Sequence, residues 1–389
     1  MSAAIHTPDA VPITVKRIVY SLYSLLFLCV NMFLWILPAT FLYFHLGQTT
    51  EKKRLRLHRF ICWASDFVIH RVPGTTFTRV NPTSETFEKP ALILSNHQSH
   101  LDLMCLLSLT PKLVVLTNDW VHRNPIYGLL IRYAEFYTVS DGLETNLERL
   151  ADLVRRGYSI VVFPEGTRSP DCRIQRFHRG AFYLAEKLQL DLLPVFLHGI
   201  GHVLPKNDFM LREGALYTEI GARIPCHDPR YGVDFKTRTS NLRKYYITHY
   251  AEICAEREGA DYYAWYVYQK YRAQGRKIGR ACRRTLQKQG NFRTVIDQAP
   301  LVPCIRIDHS STGEFALLYA LVHPQTEVYA LEPDPKRLAI ARRALTLPTN
   351  LHLSADDHGI PLPDIYYRLE EDGTPIRLPQ PNRSNRSVV

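Results

Sequence analysis

An α/β architecture, a mostly parallel sheet flanked by helices, is the fold class that this 389-residue sequence predicts. Three observations predict it. Short β-rich apolar runs alternate with helical patterns through residues 75–250. An apolar stretch at 18–46 precedes them and reads as an N-terminal hydrophobic membrane segment. A second strand–helix–strand pattern at 301–357 reads as a partial Rossmann-like unit.

The composition, 46% hydrophobic and 22% charged, is that of a globular chain with a sizeable core. Residues 1–70 are expected to anchor it to a membrane. The run at 18–46 is long enough to span a bilayer but is interrupted by Asn31 and Pro38, and no small-residue cleavage site follows. Lys16 and Arg17 precede the run, and Lys52, Lys53, Arg54, Arg56 and Arg59 follow it. Cations on both sides fit a hairpin that enters one leaflet and returns better than one crossing. A buried soluble helix is the alternative. Residues 57–70 suggest an added interfacial helix.

Strands are predicted at 91–95, 113–117, 136–140, 159–164 and 192–197, with helices at 143–156 and 179–190, and residues 71–250 form one domain. Residues 251–297 are expected to be an aromatic and basic helical linker. Within it Tyr262, Tyr263, Trp265, Tyr266, Tyr268 and Tyr271 are joined by a run of Lys and Arg without acids, from Lys270 to Arg293. That run reads either as a solvated helix face or as a strip for anionic lipid headgroups. RNA is the weakest partner, because no RNA-binding motif occurs, and no nucleic acid is expected. The tail 361–389 is rich in Pro, Arg and Asn and is expected to be disordered. A net charge of +11 calls for an anionic partner. The eight cysteines are dispersed without a C-x-x-C pair, which speaks against zinc ribbons and disulfide frameworks and for a reducing compartment.

The chemistry concentrates in two motifs. In "SNHQSHLDLM", from Ser95, Ser99 suits a helix N-cap, with Asp102 three residues on as in a capping box. His97 lies before that cap, at the carboxyl end of a strand, where open α/β sheets place their sites. On one helix, residues five apart sit about 140° around the axis, so His97 and Asp102 would not meet. With His97 in the loop, the imidazole folds back onto the carboxylate, which then fixes its tautomer. His100 competes for the role but is read as first-turn helical, pointing away.

The second motif is "VVFPEGTRS", 161–169, again after a strand. Gly166 permits close backbone approach, Arg168 offers a planar fork for phosphate, and Glu165 suits acceptor hydroxyls. The bland reading is a turn in which Glu165 and Arg168 pair with each other. In this order and about 65 residues apart in one α/β unit, the two motifs together are specific. "NHQSHLD" and "FPEGTRS" resemble the two hallmark motifs of the PlsC-like glycerolipid acyltransferase family, 1-acylglycerol-3-phosphate acyltransferases, over roughly residues 70–225.

The resemblance implies catalytic residues His97 and Asp102 and substrate-binding residues Asn96, Gln98, Ser99, Glu165, Gly166, Thr167 and Arg168. It implies direct acyl transfer from acyl-CoA or acyl carrier protein to a lysophospholipid hydroxyl, with His97 as general base and backbone N–H groups near 97–100 or 165–168 as oxyanion donors. No resident cofactor or metal is expected, and no G-x-S-x-G elbow occurs. The membrane surface is the expected partner and location, with the site on its cytoplasmic face. An acceptor without glycerophosphate, or a non-catalytic binder, is the alternative. One position departs from the family: where an arginine belongs, the chain has Val139, Ser140 and Asp141, one expected phosphate contact fewer.

Residues 298–360 resemble the front half of a Rossmann-like S-adenosylmethionine-dependent methyltransferase. A strand ends at Ile307-Asp308, a helix follows from Glu314, a second strand ends at Glu332, and "NLHLSADD", 350–357, is the third. Glu332 stands where the ribose-binding acid belongs. The turn "DHSSTGE" keeps only Gly313, so the segment is expected to be a truncated remnant.

Overall fold

The computed structural model describes residues 15–30, 37–45, 50–117, 133–138, 143–208, 210–288, 290–344, 347–371 and 373–379. They divide into two compact units, Thr14–Ile253 and Cys254–Val389.

The first unit opens with three helices, α1 (Val15–Val30), α2 (Leu37–His45) and α3 (Glu51–Ile69). Its sheet comprises β1 (Thr75–Val80), β2 (Ala91–Ser95), β3 (Leu113–Thr117), β4 (Tyr137–Thr138), β5 (Ser159–Val162), β6 (Asp191–His198) and β7 (Gly214–Ile220). Helices α4 (Asp102–Leu107), α5 (Leu143–Arg155), α6 (Gly180–Leu188), α7 (Ile200–Val203) and α8 (Phe235–Arg257) complete it. The strand order is β1-β7-β6-β2-β5-β3-β4. Every pairing is parallel except β6 with β7. All five residues of β2 are buried, as a central parallel strand covered on both faces requires. β2 pairs with β5 through Leu92–Ile160, Ile93–Val161 and Leu94–Val162. The loops that follow these two strands therefore leave the sheet side by side at the same end.

The N-terminal anchor expected over 1–70 is corrected in part. No helix among the described residues is long and apolar enough to cross a membrane. α3 buries Leu57, His58, Ile61, Ser65 and Ile69 while Phe60 and Trp63 stay exposed. α1 is tied to the later chain: the Arg17 guanidinium bonds Asp208 and the carbonyls of Met210 and Leu211. The described residues 15–30, 37–45 and 50–70 thus belong to the unit that carries both motifs and are not a separate piece. The turn of the expected hairpin, 31–36, lies outside the described residues.

The second unit contains α9 (Ala260–Arg272), α10 (Arg276–Lys288), α11 (Gly290–Asp297), β8 (Cys304–Asp308), α12 (Glu314–Val322), β9 (Glu327–Leu331), α13 (Pro335–Arg342), β10 (Leu351–Ser354), β11 (Ile365–Leu369) and β12 (Pro375–Leu378). Its sheet runs β10-β9-β8-β11-β12, parallel except for the β11–β12 hairpin. This is a Rossmann-type order with a fourth parallel strand beyond the three predicted.

Three expectations fail here for one reason, apolar burial. The 251–297 stretch is not a linker, because Tyr263, Val267, Tyr271, Cys282, Leu286, Phe292 and Ile296 are core residues of this unit. The aromatics are not a lipid-facing strip either: Tyr262, Tyr266 and Tyr268 pack against the same core. The tail expected to be disordered from 361 carries β11 and β12, whose Ile365, Tyr367 and Leu369 are buried, and the fragment therefore extends past 360. Residues 380–389 lie outside the described residues.

Candidate active site

The loop after β2 is held by its own polar side chains. Asn96, buried, accepts the Leu197 N–H at 2.8 Å and donates to the Leu197 carbonyl at 2.9 Å. It thus extends the β2–β6 ladder by one side chain. Buried Gln98 donates to the Tyr250 hydroxyl at 2.6 Å and to the Cys172 carbonyl at 3.3 Å, and accepts the Gly201 N–H at 3.3 Å. The Ser99 hydroxyl donates to the Leu204 carbonyl at 2.7 Å. These three side chains were expected to bind substrate. Their polar atoms are taken up by protein, so they shape the loop instead.

The expected Ser99 cap is also corrected. α4 starts at Asp102, its N-cap is Leu101, and no side chain caps it. Asp102 turns back into the loop. Its Oδ2 accepts the N–H groups of Gln98 and Ser99 and the Nδ1–H of His97, the last at 2.8 Å. Its other oxygen is buried and bonds nothing among the described residues. The His97 ring stacks on Phe163, with ring centroids 3.9 Å apart and planes 18° apart. With Nδ1–H donated to a fully buried carboxylate, Nε2 is the lone-pair nitrogen of a ring that keeps 20% exposure.

The two motifs interlock. The Ser169 N–H donates to the His97 carbonyl at 2.7 Å. Glu165 accepts the His97 N–H on one carboxylate oxygen and the Gln175 N–H on the other, each at 3.1 Å. It is buried, and burial pushes its carboxyl up to about 8 against the pull of those two N–H groups. Glu165 is thus a clamp between the motifs and not the hydroxyl acceptor expected of it. It forms no ion pair with Arg168 among the described residues, so the bland turn fails too. Gly166 stands at φ +67°, and a Cβ there would lie 3.1 Å from the His178 ring. The glycine answers to that turn and to His178, where close approach to a ligand was expected.

Arg168 donates to the Lys206 carbonyl at 3.1 Å, and the Lys206 ammonium donates to the Thr167 hydroxyl at 3.2 Å. Burial lowers the Arg168 pKa from its usual value, and Asp102 opposes the shift. His100 is exposed, in a turn and not in a helix. Desolvation lowers its pKa, with Arg168 and His97 adding to the shift and Asp102 opposing it. Of the backbone donors proposed for an oxyanion, those of residues 97, 98, 99 and 166 are engaged within the protein. Phe163, Tyr250 and Lys206 were missed from sequence. Phe163 sits inside the second motif, whereas nothing local to Tyr250 or Lys206 marks them.

A family model described as Acyltransferase matches residues 75–198. Residues 75–198 thus match an acyltransferase domain. That domain contains His97, Asp102 and the turn at 165–168. Its relatives include the chloroplastic 1-acyl-sn-glycerol-3-phosphate acyltransferase of Brassica napus, 32% identical over 190 residues, which are 47% of this chain and 53% of that protein. The Arabidopsis thaliana chloroplastic enzyme of the same description is 31% identical over 192 residues, 46% of this chain and 50% of that one. The chain therefore spans about half the length of the curated relatives it matches. The crystal structure of Thermotoga maritima PlsC, a 1-acyl-sn-glycerophosphate acyltransferase, shares the fold at a TM-score of 0.51 and 22% identity, covering 60% of this chain and 97% of that one.

Outside the acyltransferase domain, the β8–α12 turn engages its own side chains. Asp308 receives Arg306 and the Tyr366 hydroxyl, and the Thr312 hydroxyl donates to buried Glu314. The buried Glu314 carboxyl, its pKa raised by desolvation, stands at the head of α12 in the turn where a nucleoside cofactor would need glycine and bare N–H groups. Glu332 keeps one buried, unpartnered oxygen, but the turn beside it does not fit the cofactor of the resembled methyltransferases.

Proposed function

We propose that the chain transfers a fatty acyl group from a thioester, acyl-CoA or acyl carrier protein, to a lysophospholipid hydroxyl, with 1-acyl-sn-glycerol 3-phosphate as acceptor and phosphatidic acid as product. One observation carries this reading: the His97 ring is held at 2.8 Å by buried Asp102, with its Nε2 free, beside the turn that bears Arg168. The relatives' substrate supports it.

In this mechanism Nε2 of His97 removes the acceptor hydroxyl proton as the oxygen attacks the thioester carbonyl. Asp102 holds the ring's orientation and offsets the imidazolium charge. The N–H groups of Thr167 and Arg168, with no acceptor among the described residues, are the donors this reading assigns to the developing oxyanion. The tetrahedral intermediate collapses, the C–S bond breaks, and the imidazolium returns the proton to the thiolate. No acyl-enzyme forms.

Apolar side chains exposed on α1, α2 and α3, among them Leu22, Leu26, Phe41, Phe60 and Trp63, support membrane association. The cations at 52–59 support a cytoplasmic-face location. The test is transfer by the purified full chain to 1-acyl-sn-glycerol 3-phosphate, with each donor in turn. His97→Ala is expected to lower kcat by roughly 10²- to 10⁴-fold and Asp102→Asn by a similar factor. Unchanged transfer by His97→Ala sinks the reading.

A further inference from the structure

We infer that Lys206 is the second cation of the acceptor-phosphate subsite and sets its preference for a phosphate monoester. This rests on the acyltransferase reading above. Lys206 lies outside the 75–198 segment that matches the family. It follows α7 in a turn sewn to both motifs. The Leu204 carbonyl takes the Ser99 hydroxyl, the Lys206 carbonyl takes the Arg168 guanidinium, and the Lys206 ammonium reaches Thr167. The Arg168 side chain is thereby held by the Lys206 backbone, and the Lys206 side chain by the 165–168 turn, whose next residue bonds the His97 carbonyl.

The Asp102 carboxylate acts on the Arg168 guanidinium only through space, with no ion pair between them. Among the described residues neither Lys206 nor Arg168 has a carboxylate within ion-pair distance. The acid nearest in sequence, Asp208, is taken by Arg17 at 3.0 Å and Arg212 at 3.1 Å. An ammonium has three donors, of which Thr167 uses one, and a guanidinium presents a fork. A point charge beside a fork suits a tetrahedral, doubly charged oxyanion. A phosphate monoester near pH 7 carries about −1.5 to −2, matching two cations. A phosphodiester brings one negative charge, and with choline or ethanolamine it also brings a cation into a cationic site. Lys206 thus supplies the charge that the family draws from the arginine absent at Val139–Asp141, positions outside the described residues.

The test compares wild type, Lys206→Ala and Lys206→Arg in two measurements. With 1-acyl-sn-glycerol 3-phosphate as acceptor, Lys206→Ala should raise its KM roughly 10- to 100-fold, with kcat and the thioester KM little changed, and Lys206→Arg should restore most of the loss. The preference over lysophosphatidylcholine should shrink by the same factor. Separately, calorimetric binding of glycerol 3-phosphate should weaken by that factor in Lys206→Ala at an unchanged melting temperature. An acceptor KM and a glycerol 3-phosphate affinity both unaltered in Lys206→Ala overturn the inference. If wild type binds glycerol 3-phosphate through Lys206 yet transfers no acyl group, the subsite stands and the acyltransferase reading falls.

Discussion

Glu165 sits in the middle of a motif that reads as a binding turn, yet its carboxylate faces two backbone N–H groups and no solvent. Its acidity carries a testable consequence. Its folded pKa, about 8, stands above the usual 4.5, so the neutral form is the one that folding favours. Its contribution to stability is full below about pH 4.5 and is lost as pH rises through about 8. Glu165→Gln cannot ionise. Its melting temperature relative to wild type should therefore rise between pH 5 and pH 8, and a gap constant over that range would rule out the buried neutral acid. The His97–Asp102 pair was legible at this scale because five-residue spacing works only when one partner sits in a loop. The roles of Asn96, Gln98 and Ser99 were not, because their partners, Leu197, Tyr250, Cys172 and Leu204, are 74 to 152 residues away in sequence.

Among elements, α3 shows what burial decides. Its sequence is compatible with an interfacial helix, and its structure divides it: Leu57, Ile61 and Ile69 face the core, while Phe60 and Trp63 face outward. Replacing both outward aromatics, Phe60→Ser with Trp63→Ser, should cut co-sedimentation with anionic phospholipid vesicles several-fold, because about 25 cal/mol per Å² of apolar contact is lost. The melting temperature should not fall, since neither ring is buried. Undiminished vesicle binding would falsify a membrane role for this face. α9 makes the opposite point. Its tyrosines look like an amphipathic strip in sequence, but Tyr263 and Tyr271 are buried in one core with Phe315 and Tyr319 of α12. Periodicity gives a helix its apolar stripe and does not say what covers it.

On the scale of the whole molecule, every residue given a role in transfer lies in the Thr14–Ile253 unit. A chain ended after Glu258, which keeps α8 with Tyr246 and Tyr250, should retain acyl transfer of the same order as the full chain. Loss of transfer by such a chain, when folded, would mean that the second unit completes the site. The sequence by itself determined the strand–helix alternation, the acyltransferase resemblance, and the pairing of His97 with Asp102. These depend on neighbours within a few residues, where periodicity, turn chemistry and reach act directly. Only the tertiary structure decided that β2 and β5 lie side by side and bring their loops together. It alone decided that Glu165 is a clamp, that Lys206 joins Arg168, and that residues 361–378 close a second sheet. The physical reason is burial: whether a polar or aromatic side chain is free to act depends on which distant backbone reaches it first, and chain spacing carries no record of that.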